Sequence, residues 1–156
     1  MVTLDTASAD LADAIEQALP GWVERSVARL AGSGPGRAQA LAGPAAAAGR
    51  EAAAAVGAQV RELLQLDVEQ QRATPLGLLR GAVAYPTAVL RAAAVAPVAR
   101  SAERARLFPD DVYDLAPAAF ADVDPALAGP GLAWGVHKAA TVLGRQQSAA
   151  ADGRRR

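Results

Sequence analysis

Three aspartates in the second half of the chain have a spacing that suits metal chemistry. Asp110, Asp111 and Asp114 form the pattern Asp-Asp-x-x-Asp within the stretch FPDDVYDLA. On an α-helix, Asp110 and Asp114 would lie one turn apart on the same face, with Asp111 beside them. Carboxylates placed in this way bind Mg²⁺ and, through the metal, a diphosphate. One hypothesis is therefore a Mg²⁺-dependent phosphate- or diphosphate-binding protein or enzyme that uses this cluster.

The same five positions resemble the aspartate-rich motif of isoprenoid synthases, which implies metal–diphosphate chemistry on a helix. The sequence carries no second metal motif of that kind. A structural interpretation competes with it, because Phe108-Pro109 predicts a helix start and acids in the first turn of a helix interact favourably with its dipole. We prefer this capping interpretation and keep the metal site at Asp110, Asp111 and Asp114 as the alternative.

No catalytic constellation accompanies these aspartates. His137 is the only histidine, and it follows Trp134 by about one helical turn. Imidazole chemistry suits a base or a metal ligand, but no carboxylate lies at helical ligand spacing from it, so we expect His137 to pack near Trp134 or to serve as a contact residue. Cysteine is absent, which excludes thiolate nucleophiles and Cys-based metal sites. We assign no catalytic residue and no cofactor, and we interpret the chain as leaning away from an enzyme.

The charges are segregated along a chain whose formal net charge is zero. Residues 72–106 contain six Arg and one Glu, whereas residues 107–124 contain five Asp and no base. Arg100 and Arg104 share a predicted helical face and are the candidate residues for a nucleic-acid contact. Because the neighbouring acids repel phosphate, we expect the two blocks to neutralise each other, and a nucleic-acid-associated protein is a less favoured function.

The composition predicts an all-α fold, since 42 of the 156 residues are alanine, the strongest helix former. We expect a flexible N-terminus at 1–7 and a single helical domain at 8–146. Its first part, 8–72, is a hairpin of two longer helices, with a kink or a break at Pro20-Gly21 and a second helix starting at Gly43-Pro44. Its second part, 73–146, is a cluster of short helices and a C-terminal helix at 131–145. A disordered basic tail is expected at 147–156. Prolines are expected to begin the short helices: Pro75, Pro86, Pro97, Pro109 and Pro125.

Apolar residues that recur every three or four positions predict the core. In the C-terminal helix the stripe contains Leu132, Val136 and Leu143, which we expect to be buried. The remaining predicted core residues are Leu11, Ile15, Leu19, Trp22, Val27, Leu30, Val56, Val60, Leu63, Leu76, Leu79, Val83, Leu90, Phe108, Leu115 and Phe120.

These features favour a non-enzymatic helical interaction or scaffold protein, and we expect it to self-associate. Trp22 and Trp134 are the candidate anchors of its interface, because large aromatic rings often dominate binding energy. The longest uncharged stretch, Pro125–His137, is too short to cross a bilayer, and the acidic N-terminus does not resemble a secretory signal. We therefore expect a cytoplasmic protein with no membrane association and leave any small-molecule ligand open.

Overall fold

The chain folds into helices joined by short irregular segments. The computed structural model describes residues 3–32 and 35–155, and in that part of the chain it contains no strand. The α-helices are α1 (Leu4–Leu30), α2 (Pro35–Gln65), α3 (Pro75–Gly81), α4 (Ala84–Ala92), α5 (Ala102–Leu107), α6 (Phe120–Val123) and α7 (Ala128–Arg155), with a 3₁₀ turn at Pro125–Leu127 before α7. The predicted all-α class is confirmed.

Helices α1 and α2 form an antiparallel hairpin that contains much of the core. The α1 stripe is buried as predicted, with Leu11, Ile15 and Leu19 fully enclosed. The facing side of α2 is mostly alanine in its first half, which lets the two backbones approach closely. The approach is tightest at Gly49, where an added Cβ would lie 2.9 Å from Cα of Pro20.

The predicted break at Pro20 is wrong, since α1 continues through this residue to Leu30. Helix α2 likewise starts at Pro35 and includes Pro44, which was predicted to begin it. A proline inside a helix costs about 3 kcal/mol. Each proline has a buried residue beside it in the helix, Leu19 and Ala45, and we attribute the continuity of both helices to tertiary contacts that outweigh the loss of one backbone hydrogen bond. The sequence Gly32-Ser33-Gly34-Pro35-Gly36 also predicts a flexible connector before α2, of which residues 33 and 34 lie outside the described part of the chain.

The ends of the hairpin differ from the predicted bounds for local reasons. Helix α1 begins at Leu4 rather than Ser8, because Thr3 caps it and accepts a hydrogen bond from the backbone N–H of Thr6 at 3.2 Å. The expected flexible segment 1–7 is therefore helical from Leu4 onward, and residues 1–2 lie outside the described part. Helix α2 ends at Gln65 rather than near Arg72. The chain then turns at Asp67, whose Oδ1 accepts from the backbone N–H of Glu69 at 3.0 Å.

Two of the predicted proline starts are confirmed in detail. Thr74 caps α3 by accepting from the N–H of Gly77 at 3.0 Å, with Pro75 at the first position. Asp124 caps the 3₁₀ turn by accepting from the N–H of Ala126 at 2.9 Å. Pro86 lies inside α4 rather than at its start. Neither Pro97 nor Pro109 begins a helix, because the residues around them form irregular structure and turns.

Helix α7 packs against α1, α6 and the 3₁₀ turn near its beginning. Gly131 permits the contact with α6, since an added Cβ would lie 2.5 Å from the Phe120 ring. The predicted helix 131–145 is present but longer, running from Ala128 to Arg155. Residues 147–155, where a disordered tail was predicted, continue this helix in the structure, and Arg156 lies outside the described residues.

Candidate functional site

The segment that carries the three aspartates does not form a helix. Residues 108–119 run through turns and irregular backbone, and Asp114 has a positive φ of 54°. The predicted alignment of Asp110 and Asp114 on one helical face is therefore wrong, and so is the prediction that Pro109 opens a helix capped by these acids. Across residues 3–32 and 35–155, no group of three or more His, Cys, Asp or Glu side chains clusters as a metal site would.

Asp111 has a structural position instead. Asp111 is buried, with only 5% of its surface exposed. Its Oδ1 accepts from the backbone N–H of Leu115 and its Oδ2 from that of Ala116, both at 2.8 Å. A buried carboxylate needs such charge-assisted hydrogen bonds to offset its loss of hydration. With both oxygens engaged, Asp111 closes the turn that follows it rather than facing a ligand.

Arg100 and Arg104 are engaged within the same segment. Nε of Arg104 donates to Oδ1 of Asp114 at 2.9 Å, and its Nη2 lies 3.9 Å from Oδ2 of Asp111. Nη1 of Arg100 donates to the Phe108 carbonyl at 2.6 Å. The basic block and the acidic block therefore neutralise each other here, as expected. These two guanidinium groups hold the 100–116 segment together and do not form a free basic surface for phosphate.

Two shallow grooves flank the 108–119 segment. One, of about 390 Å³, lies between Arg80 and the stretch Leu107–Asp111. The other, of about 530 Å³, lies against α1, where Arg25 and Arg29 line it. Three of the carboxylates that border these grooves form intramolecular bonds: those of Asp111 and Asp114 described above, and that of Asp122, which accepts from the N–H of Ala118 and Ala119, both at 2.9 Å. Asp110 also borders the first groove and is exposed.

The aromatic residues predicted as interface anchors belong to the core. Trp22 is 5% exposed and Trp134 is 8% exposed. Nζ of Lys138 lies 4.9 Å from the Trp134 ring centroid, over the face of the ring. His137, the other predicted contact residue on α7, is half-buried. Rings so enclosed do not lie where a partner would meet them.

The exposed side of α7 carries the apolar stripe that was predicted to be buried. Leu132 is 70% exposed, Val136 59% and Leu143 54%. The prediction of their burial is wrong, because α7 turns its other side, with Gly131 and Trp134, toward the core. We call the stripe of Leu132, Val136, Ala139, Ala140 and Leu143 the outer face of α7; its two alanines are exposed as well. Spacings of four, three and seven place its members on one side of a helix.

The sequence contained a signal for this arrangement. Gly131 and Trp134 are three residues apart and define a second, narrower stripe on the same helix. A glycine has no Cβ and so permits a close approach, and Gly131 does meet the Phe120 ring in the structure. Sequence reasoning followed the aliphatic stripe and missed this competing side.

The outer face of α7 is also free of charge. From Ala128 to Ala151 the only Lys and Arg are Lys138 and Arg145, with no acid. Lys138 covers Trp134 on the core side. Arg145 pairs with Asp67, and its Nη1 lies 3.9 Å from Oε1 of Glu69. The hydrogen bond from Arg145 lowers the pKa of Asp67 to about 2, and Asp67 raises the pKa of Arg145 in turn.

Beyond its first turns, α7 has little support from the rest of the chain. Every residue from Leu143 to Arg155 is exposed. Arg145 connects this stretch to the rest of the chain through its ion pair with Asp67. Isolated helices of this length are marginal in water. An exposed helix with a neutral apolar face is typical of a surface that binds another helix.

Comparison with protein-family models, with curated proteins and with solved structures yields no match to this chain. No helix in the described ranges combines the length and the apolar character that crossing a bilayer requires.

Proposed function

We propose that this chain is a non-enzymatic helical interaction protein that binds another polypeptide through the outer face of α7. The single observation that carries this proposal is the exposure of Leu132, Val136 and Leu143 on one side of a helix whose opposite side is packed. Apolar side chains scattered over a surface need no explanation, but a continuous exposed stripe along one side of a helix does.

The energetics favour a partner that covers this stripe. Burying a Leu or Val side chain that is now more than half exposed contributes roughly 1–2 kcal/mol. Three such side chains, with the alanines between them, contribute enough to compete with the entropic cost of association but not to exceed it by much. The proposed complex is accordingly weak to moderate, and it would also stabilise the last turns of α7.

The engagement of the other candidate groups supports the same proposal. Asp111 and Asp114 bond within the fold, and so do Arg100 and Arg104. These bonds weigh against the alternative functions in Mg²⁺-diphosphate chemistry and nucleic-acid binding. The apolar side chains on the outer face of α7, in contrast, are exposed and therefore contribute little to the packing of their own chain.

Site-specific photo-cross-linking tests the proposal. Leu143 is replaced by a photoreactive benzoylphenylalanine in cells that produce the protein, and the protein is irradiated and its adducts are sized. We expect covalent adducts with a polypeptide. The matched control places the same group at Gln59, an exposed residue of α2, where adducts are expected to be scarce. Equal yields at the two positions, or no adduct at Leu143, would refute the proposal.

A further inference from the structure

We infer that the polypeptide bound by the outer face of α7 is a second copy of this chain, paired with it antiparallel along α7. This inference rests on the proposed function and specifies its partner. A two-fold pairing requires that one surface complement itself, so that each residue pair occurs twice. The outer face of α7 meets this requirement in both charge and shape.

Charge is the first argument. The face presents no Lys, Arg, Asp or Glu from Leu132 to Leu143, so two copies meet without like-charge repulsion. A partner selected by its charge would find nothing to pair with along this stripe. A neutral apolar strip therefore favours another neutral apolar strip, and the identical one is always available in the same solution.

Shape is the second argument. If Leu132 lies opposite Leu143 of the second copy, Val136 lies opposite Ala139, and Gly135 lies opposite Ala140, because an antiparallel register keeps the sum of the paired numbers constant. The larger side chains then meet at the two ends of the contact, and each Val faces an alanine in the middle. Small residues at the centre permit the close approach that helix packing at 8–10 Å requires.

The ends of α7 favour the antiparallel direction over the parallel one. In a parallel pair, Arg154 and Arg155 of both copies would lie side by side and repel. In the antiparallel register, each basic end extends about 16 Å past the Leu pair. It then points toward the segment before α7 in the other copy, where Asp122 and Asp124 lie. Both carboxylates already accept backbone N–H bonds in their own chain, so we expect a long-range attraction rather than direct ion pairs. The dipoles of the two helices also oppose each other in this arrangement.

The size of the contact determines how strong the association is. A stripe from Leu132 to Leu143 and the turns beyond it is about 30 Å long and about 10 Å wide. Its footprint is smaller than the roughly 800 Å² per partner of a standard stable complex. The dimer is therefore in exchange with monomer, and its population rises with protein concentration.

Directed cross-linking tests both the partner and the direction, and the absence of natural cysteines makes it clean. The Leu132→Cys variant and a ¹⁵N-labelled Leu143→Cys variant are mixed in equal amounts and treated with a short bifunctional maleimide, and the products are identified by intact mass. We expect the mixed 132–143 product to exceed each like-with-like product several-fold. Leu107→Cys, at a residue of similar exposure outside α7, serves as the control and is expected to give only the background yield.

Each other outcome overturns the inference in a recognisable way. A predominance of 132–132 and 143–143 products contradicts the antiparallel direction. A yield no higher than that of Leu107→Cys at every concentration contradicts self-association. In that case adducts at Leu143 with a different polypeptide in the photo-cross-linking experiment would still support the proposed function, so the two failures are distinguishable.

Discussion

The carboxylate of Asp111 stabilises the fold as an acceptor for two backbone N–H groups. Replacing it by alanine leaves the N–H groups of Leu115 and Ala116 buried without their acceptor, and each such loss costs about 1–3 kcal/mol. We expect Asp111→Ala to lower the free energy of unfolding by roughly 2–4 kcal/mol in urea titrations. The control is Asp110→Ala at the exposed neighbouring residue, which should change the free energy of unfolding by less than about 0.5 kcal/mol. Equal losses for the two variants would contradict this role.

The helical alignment that the metal interpretation requires is absent at Asp114, for a reason that spacing does not reveal. The pattern Asp-Asp-x-x-Asp aligns carboxylates only on a helix, whereas Asp114 adopts a φ of 54° and ends a turn. Aspartate tolerates this conformation better than most residues, so its presence is consistent with either structure. What decides between them is the pairing with Arg104, ten residues earlier in the chain, and such a contact depends on the tertiary fold.

Ala94 occupies a backbone position that glycine fits better. Its φ is 55°, and the N–H groups of Ala94 and Val95 donate to the carbonyls of Arg91 and Leu90 at 3.0 Å, the pattern of a Schellman C-cap. We expect Ala94→Gly to raise the free energy of unfolding by roughly 0.5–1 kcal/mol, because the left-handed conformation is strained for alanine. Ala92→Gly, in the last turn of α4, should lower the free energy of unfolding by a similar amount. The same sign for both in thermal or urea unfolding would refute the assignment.

Helix packing depends on one close approach between α1 and α2. At Gly49 an added Cβ would lie 2.9 Å from Cα and 3.0 Å from the carbonyl oxygen of Pro20, and neither backbone can move without disturbing the hairpin. We expect Gly49→Ala to destabilise the protein by roughly 1–3 kcal/mol. Gly43 lies in the same helix with open space around it, so Gly43→Ala should stabilise by up to about 1 kcal/mol. Urea unfolding of both variants tests this, and destabilisation by Gly43→Ala would contradict it.

The link between α7 and the turn after α2 makes a prediction about pH. Because the folded-state pKa of Asp67 is lowered to about 2 from about 3.9 when unfolded, the link contributes stability above pH 4. That contribution is lost as the pH falls from about 4 to about 2. In Arg145→Gln we expect the pKa of Asp67, measured by carboxyl NMR titration, to return toward its ordinary value. An unchanged low pKa would contradict the pairing, and Arg154→Gln, at the far end of α7, serves as the control.

Local sequence predicted helices better than it predicted their ends. Caps such as Thr74-Pro75 and Asp124-Pro125 are determined by neighbouring residues, and both are present in the structure. Pro20 and Pro44 also look like local boundaries, yet they lie inside helices. The difference lies in packing over many residues, which outweighs one lost hydrogen bond and which no short window of sequence contains.

In the molecule as a whole, the outer face of α7 is where the sequence pattern and the fold differ most. Periodicity correctly predicted that Leu132, Val136 and Leu143 share one side of a helix. It does not specify whether that side is covered by the same chain or by another one. The core also contains residues that the periodic pattern did not predict, among them Tyr113 and Leu127. The stripe on α7 is therefore not needed to complete the core, and it remains exposed.

Sedimentation velocity over a range of protein concentrations tests the central claim most directly. We predict that the weight-average sedimentation coefficient of the wild type rises with concentration, and that Leu143→Glu abolishes the rise while changing the free energy of unfolding by less than about 0.5 kcal/mol. Leu107→Glu, at a site of nearly equal exposure (53% against 54%), should behave as the wild type does. A wild type that stays monomeric throughout, or a loss of association in Leu107→Glu as large as that in Leu143→Glu, would contradict the account.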